Sequence, residues 1–78
     1  MTESTDSNYY SNETATFGDR VAAARDAQGM TQKALARRLG TSLKTIEKWE
    51  DDFSEPRAYK LQMLAGMLNV WFSWILTG

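Results

Sequence analysis

The sequence predicts a small all-α domain of five short helices. Apolar residues recur at intervals of three and four, and helix-capping residues and glycines follow one another closely along the chain. No stretch alternates between apolar and polar residues as a strand does. Of the 78 residues, 42% are hydrophobic and 24% are charged, which is ordinary globular usage. A chain of this size has room for one core and one domain.

Residues 1–14 are predicted to be a disordered, polar and acidic tail. They are rich in Ser, Thr and Asn, and they carry Glu3, Asp6 and Glu13 without any Lys or Arg. Such a segment buries too little apolar surface to offset the entropy lost on ordering. Residues 15–78 are predicted to form the domain, and their nine basic and seven acidic groups give it a net charge of +2.

The first helix is predicted over about residues 17–28. Thr16, followed by Asp19 three residues later, is typical of a capping box. Gly29 supplies a residue that readily adopts the left-handed conformation after a helix end.

The second and third helices are predicted to be short and to lie on either side of a sharp turn. Thr31 caps the second helix, which ends at Gly40, and Ser42 caps the third, which runs to about Asp51. Ala36 is small where the two helices would cross closely. Inward-facing apolar residues are then expected at Leu35, Ile46 and Trp49. Two short helices joined in this way predict a helix-turn-helix.

The fourth helix is predicted after the break at Pro56 and ends at Asn69. Four apolar residues fall on one face of it at helical spacing, namely Leu61, Leu64, Ala65 and Leu68. A last short helix is predicted over Trp71–Leu76.

Composition excludes several classes of function. The chain has no Cys and no His, which removes disulfides, thiolate nucleophiles, imidazole bases and almost every zinc site. It also lacks a phosphate-cradling glycine motif and a nucleophile paired with a base. The longest strongly apolar stretch is far below the ~20 residues that span a bilayer, and no secretory signal begins the chain. We therefore expect a cytoplasmic protein that is not an enzyme and that uses no metal or cofactor.

Residues 16–78 resemble the Cro/C1 family of phage and bacterial repressors, also called the xenobiotic-response-element (XRE) family. Four motifs carry the resemblance in the expected order and spacing: the TQ start, LA..LG, I..WE and the terminal WILTG. The resemblance implies a compact lambda-repressor-like domain with the helix-turn-helix at helices 2 and 3. It also implies binding to operator DNA as a symmetric dimer, with the recognition helix, residues 43–51, in the major groove.

By the same resemblance, Ser42, Leu43, Lys44 and Lys48 match base-reading positions, with Thr45 beside them. Lysines in the groove can donate to the O6 and N7 acceptors of guanine, and a leucine can pack on a thymine methyl. The alternative for the two lysines is a solvated face, or contact with phosphates without reading sequence.

Three further residue roles follow from the resemblance. Gln32 is expected to anchor the DNA backbone at the start of helix 2, the alternative being an ordinary solvated glutamine. Lys33 is expected to contact a phosphate. Arg25 and Glu50 match a family ion pair that ties helix 1 to the end of helix 3.

The loop after helix 3 departs from the family pattern. Where relatives usually carry Gly and basic residues, this chain has Asp51, Asp52 and Glu55. Acids near phosphates lower affinity, so the sequence predicts weak binding by a monomer and a need for dimerisation.

A second apolar stripe on helix 4 continues into helix 5 and predicts a two-fold dimer interface. It consists of Tyr59, Met63, Met67, Trp71 and Phe72. The alternative is that these residues thicken the core.

The sequence therefore predicts a transcriptional regulator, in this family usually a repressor, that binds a palindromic operator on double-stranded DNA as a homodimer. Its expected location is the nucleoid. The alternative is a protein-binding module, such as an antitoxin or adaptor, that contacts a protein partner through the aromatic C-terminal surface.

Overall fold

The computed structural model of the protein describes residues 15–78. Its five helices are α1 (Phe17–Ala27), α2 (Gln32–Leu39), α3 (Leu43–Glu50), α4 (Ala58–Leu68) and α5 (Phe72–Thr77). Residues 15–78 contain no strand, and the prediction of an all-α, five-helix fold is confirmed. The tail predicted over residues 1–14 lies outside the described residues. Between residues 15 and 78, no helix has the length and apolar character needed to cross a bilayer.

The first three helices begin at hydroxyl side chains. Thr16, Thr31 and Ser42 each accept a hydrogen bond from the backbone amide three residues later, at 3.0 to 3.1 Å. Thr16 forms a complete capping box, because the Asp19 carboxylate accepts from the Thr16 amide at 3.1 Å. These bonds satisfy amides that have no partner inside a helix, which explains why the starts were predictable from local sequence.

The predicted helix ends are close to the observed ones. Gly40 and Asn69 are left-handed, with φ of 72° and 59°, and end α2 and α4. The fifth helix begins one residue later than predicted, at Phe72, because Trp71 has extended backbone (φ −68°, ψ 139°) and is the N-cap. The first and third helices end one residue early, since the predicted last residues are their C-caps.

One core lies between the helices, and every helix contributes to it. The residues predicted to point inward from the helix-turn-helix, Leu35, Ile46 and Trp49, are all buried. The largest fully buried side chains elsewhere are Val21, Leu64, Leu68 and Ile75. Burial of these side chains is the main stabilising contribution, at roughly 1.5 to 3 kcal/mol for each large aliphatic group.

The start of α1 touches the end of α3 because residue 18 is glycine. A Cβ at Gly18 would overlap the carbonyl oxygen of Glu50 and lie 2.7 Å from its carbonyl carbon. Asp52, just after α3, then caps α1: its carboxylate accepts from the Gly18 amide at 2.9 Å and from the Thr16 hydroxyl at 2.6 Å. The C-terminal end of α3 is thereby held against the rest of the domain.

A buried arginine joins α1 to α5. The Arg20 side chain donates to the carbonyl oxygens of Ile75 at 3.1 Å, Leu76 at 2.7 Å and Ala15 at 2.8 Å. Arg20 is only 6% exposed, so these carbonyls take the place of water around its charge. The periodicity of the sequence contained no signal for this residue.

Candidate nucleic-acid interface

Helix α3 presents a polar face to solvent. Ile46 and Trp49 are buried beneath it, which sets the rotation of the helix about its own axis. Leu43, Lys44 and Lys48 are consequently exposed on the outer side. Lys44 and Lys48 lie one turn apart on the exposed helix. A helix with this outer face has the dimensions and donors to enter a major groove.

The two hydroxyls at the start of α3 are engaged within the protein. Ser42 Oγ accepts from the Thr45 amide at 3.1 Å and lies 2.9 Å from Thr45 Oγ1. The pair orders the first turn of the helix, where Leu43 and Lys44 are located. Each hydroxyl keeps further hydrogen-bonding capacity, since it combines a donor with two acceptor lone pairs.

Glu50 forms a buried ion pair with Arg25. Arg25 Nε donates to Glu50 Oε2 at 2.7 Å and Nη2 donates to Oε1 at 3.0 Å, while Nη1 donates to the Met30 carbonyl at 2.9 Å. The side chains of the pair are 13% and 7% exposed. The hydrogen bonds to Glu50 raise the pKa of Arg25 above its ordinary value, against the opposing effect of burial.

Gln32 is the first residue of α2, and its side chain points to the same carboxylate. Its Nε2 donates to Glu50 Oε1 at 2.9 Å. One amide hydrogen of Gln32 is therefore occupied inside the protein, and the orientation of the amide is set by Glu50. The family resemblance predicts contact of Gln32 with the DNA backbone and gives no indication of its bond to Glu50, 18 residues away.

Basic side chains concentrate on the helix-turn-helix. Residues 32–49 contain five basic groups and one acidic group, Glu47, so this segment carries a net charge of +4. All five are exposed; they are Lys33, Arg37, Arg38, Lys44 and Lys48. By contrast, Lys60 on α4 donates to the carbonyl of Leu39 at 3.1 Å and helps to satisfy the end of α2. The exposed basic side chains of residues 32–49 therefore give the surface of α2 and α3 a net positive charge, which phosphates favour.

The three acids of the loop after α3 differ in their contacts. Asp52 adopts a left-handed conformation, with φ of 62°, and its carboxylate bonds the start of α1. Asp51 and Glu55 are exposed. One of the three acids thus has a defined role in holding the fold together.

The five residues of the stripe predicted as a dimer interface differ in their exposure. Tyr59, Met63, Trp71 and Phe72 are exposed, whereas Met67 is half-buried and packs against the core. From residue 61 to residue 78 the sequence contains no Asp, Glu, Lys or Arg. From residue 61 to residue 78 the surface of α4 and α5 is therefore uncharged, unlike the surface of α2 and α3.

The chain matches a known protein family and resembles solved structures. A family model described as Helix-turn-helix (HTH_3) matches residues 21–75. No match was found among curated proteins. Among solved structures, the chain resembles the crystal structure of the P22 c2 repressor protein in complex with synthetic operator 9T in the presence of Tl+, with 31% identity and a TM-score of 0.79. That match covers 83% of this chain and 98% of the repressor chain.

The solution structure of the DNA-binding domain of the P22 c2 repressor, determined by nuclear magnetic resonance, is also similar. The identity is 30% and the TM-score 0.77, over 85% of this chain and 87% of that one. Both similar structures are of a repressor, and one of them is in complex with a synthetic operator.

Proposed function

The chain belongs to the HTH_3 helix-turn-helix family, of the Cro/C1 or XRE type, and we propose that it regulates transcription by binding a palindromic operator as a dimer, most simply as a repressor. The observation that carries the proposal is the outer face of α3. Leu43, Lys44 and Lys48 are exposed there while Ile46 and Trp49 anchor the helix from below. A protein with this role is expected to be located on the nucleoid.

Base reading is proposed for the start of α3. Lys44 and Lys48 would donate to guanine O6 and N7, and Leu43 would pack against a thymine methyl. Ser42 and Thr45 would contact bases with the hydrogen-bonding capacity that their mutual bond leaves over. A half-site containing G·C and A·T pairs is the expected target.

Phosphate binding is proposed for the start of α2. Backbone amides and the positive end of a helix dipole favour an anion at such a position. Gln32, with its amide held by Glu50, would donate its second amide hydrogen to the phosphate, and exposed Lys33 would add charge. These contacts set the position of the domain on the duplex without reading its sequence.

A homodimer is proposed because one α3 reads only a half-site. Two copies with recognition helices about one helical turn, ~34 Å, apart would occupy both halves of a palindrome on one face of the DNA. The exposed residues of the stripe on α4 and α5, with Met67 at its edge, are the proposed contact surface.

The test is selection of bound duplexes from a random DNA pool, followed by affinity measurements on the recovered site. We expect a two-fold symmetric site, and we expect Lys44→Ala to lose preference at one position of each half. Arg57→Ala is the matched control, because Arg57 is an exposed basic residue outside the helix-turn-helix. Recovery of no common site, with only weak salt-sensitive binding, would reject sequence-specific reading.

A second candidate function is a protein-binding module, such as an antitoxin or adaptor. The uncharged surface around Trp71, which is 81% exposed, favours it. The two candidate functions differ in which substitution removes the regulatory or partner-binding activity of the protein. Loss through Lys44→Ala supports operator reading, whereas loss through Trp71→Ser with dimerisation intact supports a protein partner.

A further inference from the structure

Glu47 is the acidic residue on the outer face of α3. Consecutive helical positions differ by about 100°, so Glu47 lies about 100° around the helix from buried Ile46 and about 160° from buried Trp49. It is partly exposed, and it lies about 60° around the helix from exposed Lys44. The Glu47 carboxylate therefore shares the face of α3 that is proposed to enter the major groove.

The Glu47 carboxylate has no partner among residues 15–78. Four other carboxylates in that range accept hydrogen bonds, namely those of Asp19, Asp26, Glu50 and Asp52. The ion pairs within residues 15–78 join Arg25 to Asp26 and Glu50. Lys44, three positions before Glu47, is therefore not paired with it, although this spacing commonly pairs opposite charges on a helix. Both side chains can bind a group outside the domain.

A carboxylate in the major groove discriminates between bases because, when ionised, it only accepts hydrogen bonds. The donors in the major groove are the N4 amino group of cytosine and the N6 amino group of adenine, whereas guanine and the thymine carbonyl present acceptors that repel a carboxylate. Adenine also carries the N7 acceptor beside its amino group, and cytosine has no acceptor in the groove. Cytosine is therefore the base that suits Glu47 best.

Lys44 has the opposite requirement. Its ammonium group only donates hydrogen bonds, and guanine offers the N7 and O6 acceptors. Side chains three positions apart on a helix have Cβ atoms about 5 to 6 Å apart. Successive nucleotides of a strand rise by about 3.4 Å, so Glu47 and Lys44 can reach the same base pair or adjacent pairs. A donor and an acceptor placed in this way match a guanine and a cytosine.

We propose that Glu47 is a specificity-determining residue whose carboxylate accepts a hydrogen bond from the N4 amino group of one cytosine in each half-site, next to the guanine bound by Lys44. The inference rests on the proposed function, because it needs α3 in the major groove. It deepens that function by naming a base that the half-site contains. Thymine and guanine are excluded at that position by repulsion, which is a contribution to specificity separate from the attraction to cytosine.

The first test repeats the selection from random duplexes with the full chain carrying Glu47→Ala. The wild-type protein should prefer cytosine at one position of each half-site, and Glu47→Ala should lose that preference while it keeps the others. Glu55→Ala is the matched control, because it removes an exposed acid outside α3 and should keep every base preference. Thermal unfolding of both variants checks that the fold is retained.

A modified base then separates a hydrogen bond from a simple effect of charge. N4-methylcytosine still pairs with guanine when its methyl group takes the place of the amino hydrogen in the major groove. At the selected position it should lower the affinity of the wild-type protein by about tenfold, the scale of one lost base contact. The affinity of Glu47→Ala should be the same for the methylated and the unmodified duplex.

Three results would overturn the assignment of Glu47. Glu47→Ala could strengthen binding to every duplex by one factor, which would mean that the carboxylate only repels phosphates. The position that depends on Glu47 could hold a base other than cytosine, or methylation could weaken both proteins equally. In each case a selected site that depends on Lys44 leaves the proposed function standing. Recovery of no common site by the wild-type protein rejects both proposals.

Discussion

Arg25 and Glu50 form a two-point ion pair between α1 and the last residue of α3, with Nε to Oε2 at 2.7 Å and Nη2 to Oε1 at 3.0 Å. The carboxylate also accepts from Gln32 at the start of α2. One buried acid thus holds together the three helices whose relative positions determine how α2 and α3 meet a duplex. Changes at Glu50 are expected to affect both stability and DNA binding.

Arg25→Ala should destabilise the domain by about 3 kcal/mol or more, because it leaves the Glu50 carboxylate buried without its cation. Urea unfolding followed by circular dichroism measures the change. Arg38→Ala is the control, since Arg38 is exposed on α2 and should cost little. A curve for Arg25→Ala within about 1 kcal/mol of wild type would contradict a structural role for the pair.

Stability should change little between about pH 6 and pH 9. The hydrogen bonds to Glu50 raise the folded-state pKa of Arg25, so the stabilisation that it contributes is fully present below the ordinary pKa of an arginine and is lost only as pH rises through the folded pKa, far above the tested range. The chain has no His or Cys, the side chains that ordinarily titrate in the tested range. Urea midpoints measured at four pH values across the range check this, and a steady slope would disprove it.

Gly18→Ala should destabilise by about 2 to 3 kcal/mol, because the new methyl group overlaps the backbone of Glu50 and forces α1 and α3 apart. Gly66→Ala is a matched substitution in open space. It should raise the thermal stability of the monomer by about 1 kcal/mol or less, through better helix propensity and a less flexible unfolded chain. Equal effects at the two glycines would argue against the close approach at residue 18.

Asp52→Ala should destabilise by about 1 to 2 kcal/mol, since it removes the cap on the Gly18 amide and leaves alanine in a left-handed conformation. Asp51→Ala removes the same charge from an exposed neighbour with negative φ and should cost much less. Thermal unfolding of the two variants compares them directly. The assignment of Asp52 as a cap fails if both lose the same stability.

Lys33→Ala should weaken binding to all duplexes by a similar factor and reduce the slope of log affinity against log salt by about 1, as the loss of one phosphate contact does. Lys44→Ala should instead change the preference at one base pair. Affinity at several salt concentrations, on the selected site and on a scrambled duplex, separates the two roles. A sequence-dependent loss in Lys33→Ala would place that residue at the bases.

The helix-turn-helix was predictable because its determinants are local. Thr31 and Ser42 each cap a helix by accepting a hydrogen bond from the amide three residues later. Gly40 ends α2 through its own left-handed φ. Ile46 and Trp49 are buried as their three-residue spacing indicated. Patterns of this kind can be read from the chain without knowing how distant segments meet.

The long-range polar contacts were not predictable in the same way. Arg20 binds backbone carbonyls 55 and 56 residues later, and a carbonyl has no sequence signature. The bonds from Gln32 to Glu50 and from Lys60 to Leu39 likewise depend on how helices pack. Arg25 and Glu50 are the only distant pair that was predicted, because the family resemblance indicated their ion pair, whereas the periodicity of the sequence did not.

The guanidinium of Arg20 contacts the carbonyls of Ala15 and Leu76 together, which brings the two extremities of the folded domain to one corner. A peptide linker of a few residues from position 78 back to position 15 would therefore close the backbone of residues 15–78 into a ring. Cyclisation of this kind lowers the entropy of the unfolded chain. It would also allow new termini to be opened at an exposed loop, such as the one around Ser54.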